Sequence, residues 1–190
     1  MALAAVVLLC AGCQKTWTST DLTMTTYGTF NNSVDKGWRS LAANAKFQDA
    51  AELIERYINA NQPILEQWQV GILQFHRGQM LGCAGKTSEA LQAITEAKSH
   101  DLTGGSQADY TAYMDATAAF LRGDKSALVA ARDAINAAPS TGANGILRTK
   151  SQVLLNNFGS SYRKAWQAAA NVAIPMNELV DELVPNGQGE

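Results

Sequence analysis

The chain of 190 residues carries a formal net charge of −2, with 15 basic against 17 acidic residues, 46% hydrophobic content and 17% charged. Scattered basic residues at that balance exclude the electrostatic footprint of a nucleic-acid binder, and the apolar fraction excludes a disordered chain. Of three cysteines, two fall within the first thirteen residues, so the body of the chain has no pair from which to make a disulfide.

The chain opens with an apolar run, Ala2 to Leu9, followed by Cys10-Ala11-Gly12-Cys13 and then by polar sequence from Gln14 and Lys15. The run is too short to cross a bilayer, which takes about 20 apolar residues. Cys10 and Cys13 form a Cys-x-x-Cys, yet no second ligand pair supports a zinc site and no strand-to-helix context supports a redox pair. A short apolar run closed by small residues and a cysteine resembles a bacterial lipoprotein signal, with Cys10 standing where that pattern usually has Leu. The resemblance implies that residues 1–13 form the signal, that Cys13 is lipidated, and that the domain is anchored to a membrane on the periplasmic face. Gln14 after the cysteine, in place of Asp, implies the outer membrane.

Residues 14–32 are rich in Thr, Ser and Asn, with Trp17, Tyr27 and Phe30 interspersed, and predict a polar tether with some β-propensity over Thr16 to Thr26. From Ser33 the apolar period becomes helical. Phe47, Ala50, Ala51, Ile54 and Ile58 trace one face of a helix ending near Asn61, and Pro63 suits the first turn of the next. That next helix bears two apolar stripes, Ile64, Trp68, Ile72 and Phe75 beside Val70, Leu73, Met80 and Ala84, which predicts burial on two sides.

Four short turns, around Lys46, Gly85, Gly123 and Gly159, each separate an apolar helix end from a new helical pattern. Glycine there supplies the left-handed backbone that ends a helix, and Asp124 or Thr87 beside it suits the cap of the following one. The markers recur at 39, 38 and 36 residues, near the roughly 34 of tetratricopeptide repeats. Phe75 to Leu81 with Gly78, the turn Ala84-Gly85, and Ala90, Ile94 and Ala97 are similar to such a repeat. Trp38, Leu41, Phe47, Ala50 and Ile54 fit the same scheme, as do Gly123 and Pro139 in the third unit. The resemblance implies an all-α domain over 33–172 of stacked antiparallel hairpins in a right-handed superhelix, and Pro175, Pro185 and the Gly-Gln-Gly-Glu end predict a capping segment and tail over 173–190. The resemblance also implies a concave groove to which Asp35, Arg39, Phe75, Gln79, Tyr110, Tyr113 and Thr117 would contribute, although Phe75, Tyr110 and Tyr113 read equally well as inter-helix core. The chain as a whole looks like uncharacterised bacterial proteins with such repeats.

Chemistry-bearing motifs are sparse. Gly85-Lys86-Thr87 matches the end of a phosphate-binding loop, but Met80 stands where its first glycine belongs and a helix precedes it. His76 and His100 lack any metal-ligand spacing, so neither a metal nor another cofactor is expected. His76 and Cys83 fall on one helix face as a conceivable base and nucleophile, with buried core groups the simpler account. The expectation is therefore a non-catalytic adaptor, tethered in the cell envelope, that binds a protein or peptide. The alternative is a small-molecule or cell-wall-fragment binder with a closed pocket around His76, Gln79 and Tyr113.

Overall fold

The computed structural model describes residues 17–102, 110–138 and 143–171. Every regular element among them is a helix: α1 (Ser19–Met24), α2 (Tyr27–Asn32), α3 (Gly37–Ala43), α4 (Phe47–Asn61), α5 (Gln67–Cys83), α6 (Thr87–Lys98), α7 (Tyr110–Arg122), α8 (Lys125–Ala137), α9 (Ala143–Asn156) and α10 (Tyr162–Ala170). The fold is all-α. The expected signal with Cys13, and the tail from 173, lie outside the described residues.

From α3 onward the helices pair as hairpins, and the turns between them share one device. Ala45, Gly85, Gly123 and Gly159 all take positive φ, 57°, 82°, 71° and 87°, so the chain reverses within a few residues of each marker. Asp124 caps α8 by accepting from the Ala127 N–H at 2.9 Å, as expected, but Thr87 lies inside α6, whose N-cap Lys86 makes no side-chain cap. Within the second hairpin the helices are antiparallel and very close. A Cβ on Gly78 would lie 2.8 Å from Ile94 Cγ1, and one on Gly71 would lie 3.2 Å from the Ala97 carbonyl, so both glycines are contact points between α5 and α6. With Gly82, whose Cβ would lie 2.8 Å from the Tyr162 ring of α10, this explains why three glycines are tolerated inside a helix where each weakens it by about 1 kcal/mol.

α5 is the centre of the molecule. It packs against α4, α6, α7 and α10, and twelve of its seventeen residues are buried, so burial exceeds the two sides read from its stripes. α10 departs from the expected open array. It folds back across the turn ends of the earlier hairpins, where the Trp166 ring meets Phe47 edge-on at 5.8 Å, Tyr162 meets Phe120 at 5.6 Å, and Arg163 Nε donates to the Cys83 carbonyl at 2.9 Å. In an open superhelix the fourth hairpin would not reach the first.

The polar segment 17–32 also departs from expectation. It is neither a tether nor a strand but two short helices, each opened by a threonine cap: Thr18 accepts from the Asp21 N–H at 3.1 Å and Thr26 from the Thr29 N–H at 3.3 Å. Such caps contribute about 1 kcal/mol each. Two apolar residues then fasten the segment to α4. Leu22 is buried, and Phe30 stacks on Tyr57 with centroids 3.8 Å apart. The polar links agree, since Tyr57 Oη donates to the Thr25 carbonyl at 2.9 Å and Asn61 Nδ2 to the Leu22 carbonyl at 3.2 Å.

Candidate functional site

The residues singled out for a groove do not form one surface. Phe75, Gln79, Tyr113 and Thr117 are buried, Arg39 and Tyr110 are half-buried, and only Asp35 is exposed. The four buried positions are corrected here from groove wall to interior, and the reason is α5. Four neighbours cover most of α5 and leave only His76 and Arg77 part-exposed beyond its first turn, and the aromatic rings serve inter-helix packing, with Phe75 edge-on to Tyr113 at 5.6 Å.

What the fold assembles instead is an internal polar cluster with a half-buried rim. His76 Nδ1 and Gln79 Oε1 are 3.0 Å apart, which places the imidazole proton on Nδ1, donated to the amide oxygen. Burial first, then the Arg39 guanidinium and the Lys150 ammonium, hold the His76 pKa down at about 3 against the opposing hydrogen bond that the ring donates to Gln79, so the ring is neutral. Gln79 also lies beside the Tyr113 and Tyr162 hydroxyls, and Thr117 lies beside Tyr162. Burial raises the pKa of both phenols, which stay protonated. The Tyr162 hydroxyl is buried and meets no hydrogen-bond partner among the described residues. An orphaned buried hydroxyl costs about 1–3 kcal/mol, which makes it the least settled group in this interior.

The rim is built from α3 and α5. The Trp38 indole lies against the His76 ring at 4.8 Å, the Arg39 guanidinium sits over the Trp38 ring at 4.4 Å, and Arg39 Nε donates to the Asn31 carbonyl. Cationic and aromatic groups stacked in this way recognise carboxylates, backbone carbonyls and flat polar groups. Sequence reasoning placed Arg39 here and left out Trp38; its buried indole is the platform on which both Arg39 and His76 rest, and only the helix pairing brings it to His76.

Neither candidate for chemistry is activated. Burial pushes the Cys83 thiol up to about 12, only partly offset by Arg163, so the thiolate that a nucleophile needs is not available at neutral pH. His76 finds an amide where a catalytic dyad would have a carboxylate. His100 is remote from both, its Nδ1 2.8 Å from Gln67 Oε1 between the outer ends of α5 and α6. No group of three or more metal-ligating side chains occurs among the described residues. A cleft of about 520 Å³ opens at the opposite end of α5, lined by Cys83, Thr87, Phe120, Ser161, Tyr162 and Arg163, and shares none of the trio His76, Gln79 and Tyr113. Gly85 and Lys86 turn between α5 and α6, which begins at Thr87, and Lys86 Nζ is 3.5 Å from Glu89. No described helix is long and apolar enough to cross a membrane. Comparison of the chain with protein-family models, curated proteins and solved structures gave no match.

Proposed function

We propose that the protein is a non-catalytic adaptor, tetratricopeptide-like in design, anchored through Cys13 in the bacterial cell envelope on the periplasmic side of the outer membrane, and that it binds a protein or peptide partner. The observation that carries the reading is the rim: half-buried Arg39 and His76 form a short strip across the buried Trp38 indole, at 4.4 Å and 4.8 Å from its ring, with exposed Asp35 four residues before Arg39 in the chain. A preorganised strip of this kind suits an extended peptide with a carboxylate or exposed carbonyls. The protonation states of His76 and Cys83 support a binding role over a chemical one.

The test is in-cell photocrosslinking from a benzophenone side chain placed at Asp35, with the same group at Lys125 as control, followed by mass spectrometry. The reading expects one envelope protein captured from position 35, absent from position 125, and lost in Arg39→Ala although that variant stays folded. Equal capture from both positions would sink it.

One observation favours the second reading, a binder of a small polar molecule. The orphaned Tyr162 hydroxyl beside Gln79, Tyr113 and Thr117 is a polar point in want of a partner. Under that reading Tyr162→Phe abolishes ligand binding, whereas the adaptor retains its partner.

A further inference from the structure

The shortened N-terminal arm has a geometric consequence. Trp17 is already part of the body: its carbonyl accepts from Arg56 Nη2 at 2.6 Å, and its ring meets Phe30 edge-on at 6.0 Å. Only Gln14, Lys15 and Thr16 lie between Cys13 and Trp17. Chain extends by at most about 3.5 Å per residue, so an anchor at Cys13 holds Trp17 within roughly 14 Å of the point of attachment. A leash that short fixes which end of the domain meets the membrane.

The same end carries the exposed apolar side chains. The large hydrophobic residues most exposed among those described are Met24, Val34 and Ile64, at 80%, 79% and 75%, and all three belong to the N-terminal part of the fold. Single exposed apolar residues are ordinary on any surface, Val34 among them, but Met24 and Ile64 lie near the N-terminal entry of the chain. α1 rises only about 9 Å from Thr18 to Met24. Asn61 then ties the end of α1 to the turn that carries Ile64, since its side chain donates to the Leu22 carbonyl at 3.2 Å and its own carbonyl accepts from the Ile64 N–H at 2.9 Å. Beside them the Tyr27 and Trp68 rings meet edge-on at 5.3 Å, both half-buried. Aromatic rings with a polar tip, flanked by aliphatic side chains, are the composition favoured at the boundary between headgroups and acyl chains.

We infer that the face formed by Met24, Ile64 and the Tyr27–Trp68 pair lies against the lipid headgroup region of the anchoring membrane. This rests on the anchored reading above. The rest of the molecule then points away from the bilayer, with the α5–α6 turn about 25 Å from Ile64 along α5.

The test uses the full-length protein purified from a Gram-negative host, with single cysteines introduced as Met24→Cys, Ile64→Cys and, as control, Lys86→Cys at the α5–α6 turn. Each is labelled with the environment-sensitive fluorophore NBD and reconstituted into phosphatidylethanolamine–phosphatidylglycerol vesicles with or without doxyl-labelled lipid, and the same samples are weighed by mass spectrometry for acyl chains on Cys13. An acylated Cys13 with at least threefold quenching by doxyl lipid at positions 24 and 64, and none at 86, is the expected result. Acylation with equal quenching at all three positions would overturn the orientation and leave the anchor standing. Absence of acyl mass on Cys13 would overturn the anchor and the orientation with it. Shielding of 24 and 64 from aqueous iodide without doxyl quenching would show that protein covers the face, and would also overturn the assignment to lipid.

Discussion

Residues 17–32 and helix α5 are both packed against α4, yet by opposite means. The first segment is mostly exposed and polar, and is held by Leu22, Phe30 and three backbone carbonyls that accept from α4. The second buries twelve residues and is held by area on nearly every side. Attachment by a few anchors and attachment by area respond differently to damage: losing one anchor releases a whole segment, while losing one contact in α5 strains a core that must move together.

The largest effect that separates the two is expected at Phe30. Phe30→Ala should cost about 3–4 kcal/mol in denaturant unfolding and expose 17–32 to protease while the α5–α8 core resists. Simultaneous digestion of both regions would break the distinction.

The next concerns the rim of α5. Because the folded His76 has a pKa near 3 against 6.5 for the free side chain, the unfolded chain binds more protons between those values. Stability should therefore be fully present above about pH 6.5 and fall as the pH is lowered toward 3, by on the order of 2 kcal/mol from this residue after allowing for the solvent-exposed part of the ring. His76→Gln should flatten the acid limb of a melting-temperature profile, and an unchanged limb would show that the histidine is not held neutral.

Gly78→Ala tests attachment by area. Alanine gains about 1 kcal/mol of helix propensity, but its Cβ would stand 2.8 Å from Ile94 Cγ1 and 3.1 Å from the Ala90 carbonyl. Displacing α6 should outweigh the gain, leaving a net loss of about 1–2 kcal/mol spread over the whole unfolding transition. The smallest effect is a gain. Ala45 holds the left-handed turn that glycine supplies in the other three hairpins, so Ala45→Gly should stabilise by about 0.5–1 kcal/mol in thermal unfolding.

The regions also differ in how legible they were. α4, α5 and the hairpin turns could be read because an apolar period and four turn markers announce them in local sequence. The arm could not, since its threonines signal both β-propensity and helix capping, and the choice was made by Phe30 finding Tyr57, a contact that no local pattern carries. At the candidate site, His76 and Arg39 were found by type and by repeat position. Phe75 and Tyr113 read as core as readily as groove, whereas the burial of Gln79 and Thr117 was missed because Tyr162 of α10 returns to lie beside them, and repeat logic assumes that each unit touches only its neighbours.

That return bears on the order in which the molecule is built. Arg163 Nε and the Cys83 carbonyl are 80 residues apart in sequence. A chain that emerges from its N-terminus onward completes the hairpin pairings among α3 to α6 long before Arg163 exists to take part. The end of α5 at Gly82 and Cys83 thus waits through most of synthesis for its cover by α10, the last of the described helices to arrive. The late, non-local closure of a contact of this kind is the slow step that topology imposes. A chain cut short before Tyr162 would carry nearly every hairpin, and its central helix would end in open water.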